Sequence, residues 1–138
     1  MLSVVIITAA LASVTSYPKH EKECLAKIVH HEAANQSYNG QLAVAQVVMN
    51  RVNSPKFPKT ICSVASQRGQ FFNVHSYSPN KADKRWKTAV IVSDHAPSGK
   101  GPHLVGRAMF FRATWVKPTK FFRLRKHVVT IGDHAFYE

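Results

Sequence analysis

Residues 24–52 read CLAKIVHHEAANQSYNGQLAVAQVVMNRV, and the spacing of their apolar positions sets the architecture. Leu25, Ile28, Val29 and Ala33 recur at three- and four-residue intervals, which predicts a helix over 21–34 with one apolar face. Asn39 and Gly40 interrupt the pattern, and a second helix is expected from Gly40 to about Val52. Val44, Ala45, Val48 and Val52 form its main stripe, with Leu42, Val47 and Met49 spread around the remainder. A helix that is apolar nearly all round belongs at the centre of a domain.

Downstream, NSPKFPKT (53–60) is a proline-bearing loop whose Thr60 can cap a short helix ending at Ala65. Residues 67–79 show no period. A third long helix is expected over 81–95, capped by Asn80, with Ala82, Trp86, Ala89, Val90 and Ser93 on one side. The last third changes character. HLVGRAMFF (103–111) and HVVTI (127–131) have strand composition, and WVKPTK (115–120) between them reads as a turn region. The expected class is α+β, mainly helical with a small late β-sheet.

A chain of 138 residues is long enough for one domain with one core, and 45% hydrophobic residues with a mean hydropathy of −0.17 describe a folded rather than a disordered chain. Nineteen Lys and Arg stand against seven Asp and Glu, for a net charge of +12. That imbalance calls for an anionic partner: nucleic acid, a membrane surface or an anionic polymer such as a bacterial wall. The opening MLSVVIITAALASVTS (1–16) has an apolar run from Leu2 to Ala12 ending in Ala10-Leu11-Ala12, which fits a secretory leader, cleaved or kept as a weak anchor. No Lys or Arg precedes the run, and a buried first strand is the alternative. Export to the periplasm, cell wall or medium is therefore expected, with 21–138 as a single domain. The two cysteines, Cys24 and Cys62, are either a bridge or two buried thiols. A leader favours the bridge, whose loop of roughly 40 residues would contribute about 3–4 kcal/mol.

Seven acids hold whatever acid–base chemistry the chain performs: Glu21, Glu23, Glu32, Asp83, Asp94, Asp133 and Glu138. Glu21 and Glu23 open the first helix and Asp83 lies in the first turn of its own, positions that suit the helix dipole. Glu32 falls on the apolar stripe, seven residues after Leu25 and four after Ile28. A carboxylate on such a stripe loses water and moves toward the proton affinity of a general acid, unless a cation such as Arg51 pairs with it. VHHEAAN (29–35) stops one residue short of the His-Glu-x-x-His zinc signature, because Asn35 fills the second His position. The remaining histidines (20, 75, 95, 103, 127 and 134) show no ligand spacing, so neither a metal nor another cofactor is expected.

The run from Cys24 through PKFPKTIC (55–62), followed by Gly69-Gln70-Phe71, Gly106-Arg107-Ala108-Met109-Phe110-Phe111 and Ile131-Gly132-Asp133-His134-Ala135-Phe136-Tyr137, resembles the SleB-type cell wall hydrolase family in order over about residues 23–137. The resemblance implies a lysozyme-like fold and cleavage of peptidoglycan glycan strands, of lytic transglycosylase or muramidase type, with the family's catalytic Glu at Glu32. It also suggests Gln70, Phe71, Tyr77 and His134 for the substrate groove. Phe110 and Phe111 belong to a basic, aromatic region that holds eight Lys or Arg and no acid between Asp94 and Asp133. Its aromatics can stack on sugars or fill the core, while its cations attract anionic wall polymer or form a solvated face. The chain departs from the family pattern in carrying Ala34 for an Arg, Gln36 for a second acid, and Phe110-Phe111 for a Tyr pair. A single carboxylate suffices for a lytic transglycosylase, whose substrate supplies its own nucleophile. Peptidoglycan is the expected partner of a monomeric enzyme, with no nucleic acid expected. The alternative is a cationic wall- or nucleic-acid-binding protein without catalysis.

Overall fold

The computed structural model describes residues 16–67 and 72–138. The expected leader lies outside the described residues except for Ser16, and Gln70 and Phe71 lie outside them as well. Helix α1 (Lys19–Ala33) packs against α2 (Tyr38–Val52), α3 (Ile61–Ala65) and α4 (Lys84–His95). Three short strands follow, β1 (Phe110–Ala113), β2 (His127–Ile131) and β3 (His134–Tyr137), with a four-residue helix α5 (Lys120–Arg123) between β1 and β2. Among the described residues no helix is long and apolar enough to cross a membrane.

Helix α2 is the central helix its composition demands: Leu42 to Ala45, Val47 and Val48 are all inaccessible to solvent. It starts two residues earlier than expected, because Ser37 caps it by accepting from the Gly40 N–H. Asn39 and Gly40 thus lie inside the first turn, where a Ser cap overrides their tendency to break a helix. Thr60 caps α3 as anticipated, accepting from the Ser63 N–H. For α4 the cap is Asp83 rather than Asn80; Asn80 Oδ1 instead accepts from the Ala82 N–H in the preceding turn.

Cys24 and Cys62 form a disulfide across a Cα–Cα distance of 5.4 Å, fastening α1 to α3. Beside it, the buried Glu21 carboxylate accepts from the Cys62 N–H at 3.0 Å, so this acid serves the start of α3 as well as its own helix.

The sheet is antiparallel in the order β1-β3-β2. Its centre, β3, was not among the expected strands, and all four of its residues are buried. The expected strand over 103–111 is mostly loop, and only Phe110 and Phe111 enter β1. The polar face of α2 explains this. Gln46 donates to the Pro102 carbonyl and accepts from the Leu104 N–H, and Asn50 donates to the carbonyls of Gly106 and Ala108. Arg51 Nε donates to the Met109 carbonyl at 2.7 Å. These side chains satisfy backbone groups that would otherwise require a neighbouring strand.

Candidate active site

Glu32 occupies the last turn of α1, but at the edge of the apolar stripe rather than on it. Ile28 and Val29 are fully buried and Ala33 nearly so, whereas the Glu32 side chain is 27% exposed. The expectation of a carboxylate enclosed by the core is therefore corrected: Glu32 stands at the rim, in reach of solvent. His31 Nδ1 lies 3.3 Å from its carboxylate, and among the described residues no Lys or Arg pairs with it. Arg51 is engaged elsewhere. It is buried, donates to Met109, and lies 5.0 Å from the centre of the Phe57 ring and 5.4 Å from that of Phe110. Burial pushes its guanidinium down to about 10, which leaves it charged at neutral pH.

Aromatic rings gather on His31, the neighbour of Glu32 in α1. His31 stacks on Phe72 with centroids 3.8 Å apart, and Tyr77 meets both rings edge-on. Tyr77 is held from behind: its hydroxyl lies 2.5 Å from His30 Nδ1, and His30 Nε2 faces Asp83 Oδ2 at 3.4 Å. The arrangement that satisfies all three groups has His30 donating to Asp83 and accepting from the Tyr77 O–H. Burial pushes the Tyr77 phenol above its usual range, with Asp83 adding and Arg85 opposing, so the O–H is retained. Hydrogen bonds from Arg85 hold the Asp83 carboxyl well below the usual carboxylate range. Arg85 also donates to Asn35 Oδ1 at 2.9 Å, tying α4 to the residue just beyond α1. Only Tyr77 of this network was anticipated. The others are ordinary polar residues spread over some fifty positions, with no spacing to mark them.

Strand β3 also reaches α1, through His134. His134 is 5% exposed, and Phe111 meets it edge-on at 5.3 Å. Burial lowers the His134 pKa, opposed by the charges of Glu32 and Asp133 and by a hydrogen bond with the Glu32 backbone, so this ring lies within electrostatic reach of both acids. A His held neutral by burial contributes stability that is complete above the unfolded-state value of about 6.5. It is lost as pH falls from there toward the depressed folded value, because the unfolded chain takes up the proton first. The melting temperature should therefore drop between about pH 7 and pH 5. His134→Gln should make that drop shallower, as read by calorimetry of both proteins across the range.

Strand alternation separates the two candidate phenylalanines. Phe111 faces His134 and Phe136, while Phe110 joins Phe57, Phe121 and the guanidinium of Arg125. The structure thus links Tyr77 to α1 through His30 and His31, sets Phe111 against His134, which bonds to the Glu32 backbone, and leaves Phe110 in a separate aromatic cluster. Asp94 is paired with Lys22 at 2.8 Å, on the α1–α4 face. Among the described residues no group of three or more His, Cys, Asp or Glu is arranged to hold a metal ion.

Gln36 closes the site from the α1–α2 loop. Its Nε2 donates to Asp133 Oδ2 at 2.9 Å and its Oε1 accepts from the Asp133 N–H at 3.0 Å, clasping the β2–β3 turn. Gly132 sits at φ +55°, where glycine is favoured, and a Cβ there would push Gln36 Oε1 out of the clasp. The amide suits a partner that is itself an acid. Gln36→Glu should destabilise the fold by about 1–2 kcal/mol at neutral pH, since it replaces the donor with a second carboxylate. Urea titrations at pH 7 and pH 4 should show the difference from wild type shrinking in acid.

Comparison with known proteins places the chain in a family. A family model described as Cell Wall Hydrolase matches residues 35–137. The chain is 30% identical over 124 residues to a spore cortex-lytic enzyme of Bacillus cereus, an alignment covering 87% of this chain and 45% of that protein. It is 42% identical over 124 residues to a spore cortex-lytic enzyme of Halalkalibacterium halodurans, covering 87% and 35% respectively. The chain thus spans less than half the length of these relatives. Among solved structures, the catalytic domain of the Bacillus cereus SleB protein matches with a TM-score of 0.75 and 28% identity, covering 90% of this chain and 94% of that one. The catalytic domain of the germination-specific lytic transglycosylase SleB from Bacillus anthracis matches with a TM-score of 0.72 and 26% identity, covering 90% and 98%. A fold shared with these catalytic domains and a family match across most of its length establish that the chain belongs to the cell wall hydrolase family.

Proposed function

We propose that this chain cleaves the glycan strands of peptidoglycan, with Glu32 as the one catalytic carboxylate. The observation that carries the reading is the setting of Glu32: a carboxylate at the rim of the core, beside His31 of the His31–Phe72–Tyr77 ring cluster and within electrostatic reach of His134, with no Lys or Arg on it among the described residues. Family membership and the likeness to two solved catalytic domains support it.

Glu32 first donates its proton to the glycosidic oxygen as the bond to the anomeric carbon breaks. The resulting carboxylate then takes the proton of the muramic acid C6 hydroxyl as that oxygen attacks, leaving a 1,6-anhydro end. No second protein acid is required, unlike a hydrolase that must activate water. This suits a site in which Gln36 takes the place of an acid and Asp133 is engaged by it. Tyr77 and Phe111 offer flat or polar edges to sugar rings, and Gln70 and Phe71 are assigned to the same groove by their family-like motif. The net charge of +12 draws the enzyme to an anionic wall. Its substrate lies outside the cytoplasmic membrane, so we place the protein there, delivered by a leader at 1–16.

Incubating the purified protein with insoluble peptidoglycan tests the reading. Wild type should clear the suspension and release soluble fragments, and Glu32→Gln should sediment with the polymer without clearing it. Binding without clearing by both proteins would instead mark a cationic wall-binding protein, since charge-driven binding does not need Glu32.

A further inference from the structure

The connection between β1 and β2 carries a surface that cleavage of glycan does not require. Six large hydrophobic residues are conspicuously exposed among the described residues, and four of them fall in this one connection: Trp115 (71%), Val116 (51%), Phe121 (42%) and Leu124 (73%). Residues 112–126 also hold Arg112, Lys117, Lys120, Arg123, Arg125 and Lys126, with no acid among them. Among the described residues the acid paired with this segment is Glu138, shared by Lys126 and Arg107.

Exposed apolar groups in a loose loop would mean little, but this connection is braced. Arg112 Nη1 donates to the Val116 carbonyl at 2.9 Å, Arg123 to Pro118 at 2.9 Å, and Arg125 to Phe121 at 3.0 Å. The Arg125 guanidinium lies 3.4 Å from the Phe121 ring centroid, and half-buried Phe122 roots the segment on Tyr137 at 5.0 Å. The arginines thus spend their donors on neutral carbonyls and rings, keeping their positive charge while fixing the backbone. Trp115, Val116 and Leu124 are held in water by a stiff frame, which costs hydration free energy unless something apolar covers them.

We propose that this connection docks on an anionic lipid surface, with Trp115, Val116 and Leu124 entering the headgroup–acyl boundary and the flanking cations meeting lipid phosphates. An indole beside aliphatic groups and Lys or Arg is the combination that an interface with one wet and one oily side rewards. A soluble anionic polymer would account for the cations but not for the apolar side chains. The inference stands apart from the role of Glu32, because no residue of the site takes part in it.

The test is co-sedimentation with vesicles of phosphatidylcholine alone and with phosphatidylglycerol added, at an ionic strength of about 0.1 M. Wild type should bind the anionic vesicles and not the neutral ones, with a blue shift of tryptophan emission that Trp115→Ser abolishes. The double variants Trp115→Ser/Leu124→Ser and Lys117→Gln/Lys120→Gln should each weaken vesicle binding by about tenfold or more. The first should leave binding to soluble polyphosphate unchanged, and circular dichroism should show both folded. Unaltered vesicle binding by the apolar variant would overturn the proposal, as would equal affinity of wild type for neutral vesicles or no binding at all. So would a wild-type dimer lost in that variant, which would make the surface a self-interface, or impaired cleavage of soluble glycan strands, which would make it a sugar contact.

Discussion

Replacing Glu32 by Gln should lower the rate of peptidoglycan cleavage by on the order of 10³-fold. The substitution removes the only proton donor the mechanism uses at the leaving oxygen and the only base available to the attacking hydroxyl. Because one group serves both half-steps, no neighbour can make good the loss. Asp94 is committed to Lys22 at 2.8 Å, and Asp133 to Gln36 at 2.9 Å. The stability change should be small, within about 1 kcal/mol, since the side chain is 27% exposed and has no Lys or Arg partner among the described residues. Initial rates of fragment release, taken beside thermal melts of both proteins, separate these effects. A folded Glu32→Gln that retains more than about a tenth of the activity would remove Glu32 from the chemistry.

Loss of the disulfide should have the largest effect on stability. Cys24 and Cys62 are 38 residues apart, and the loop-entropy relation gives about 4 kcal/mol for a closure of that length. The bond also holds α3 where the Glu21 carboxylate can reach the Cys62 N–H, so cutting it loosens a buried charged contact as well. Urea unfolding of the Cys24→Ser/Cys62→Ser variant, or of wild type under dithiothreitol, should lose about 3–5 kcal/mol. The melting temperature should fall by on the order of 10 °C. A difference under about 1 kcal/mol would show that the α1–α3 packing alone holds these helices together.

The helical part of the fold was legible because its signals are local and periodic. Leu25, Ile28, Val29 and Ala33 mark the face of α1, the all-round apolar pattern of α2 marks a central helix, and Thr60 marks the start of α3. The sheet was harder to see for a physical reason. A buried central strand such as His134–Tyr137 shows no alternation, since neither of its faces meets water. The two-residue Gly132-Asp133 connection after HVVTI was the available hairpin signal. Conversely, HLVGRAM has strand composition yet stays in a loop, because Gln46 and Asn50 satisfy its backbone from α2. That compensation depends on residues more than fifty positions away.

The site divides along the same line. Glu32 stood out as a candidate from one helix, although its position at the rim did not, since three-residue spacing from Val29 leaves the side chain free to lean either way. Tyr77 meets the His30–His31 pair, and Phe111 meets His134, only through the tertiary fold. The His30–Tyr77–Asp83–Arg85–Asn35 network and the Gln36–Asp133 clasp are long-range pairings of common polar residues, and neither has a local pattern to betray it.

The most direct test of the central claim is mass spectrometry of the fragments released from peptidoglycan by the purified protein, beside a Glu32→Gln control. Fragments ending in 1,6-anhydromuramyl groups, absent from the control, are the predicted result. Reducing ends in their place would contradict the one-carboxylate account, because a second group would then have to activate water.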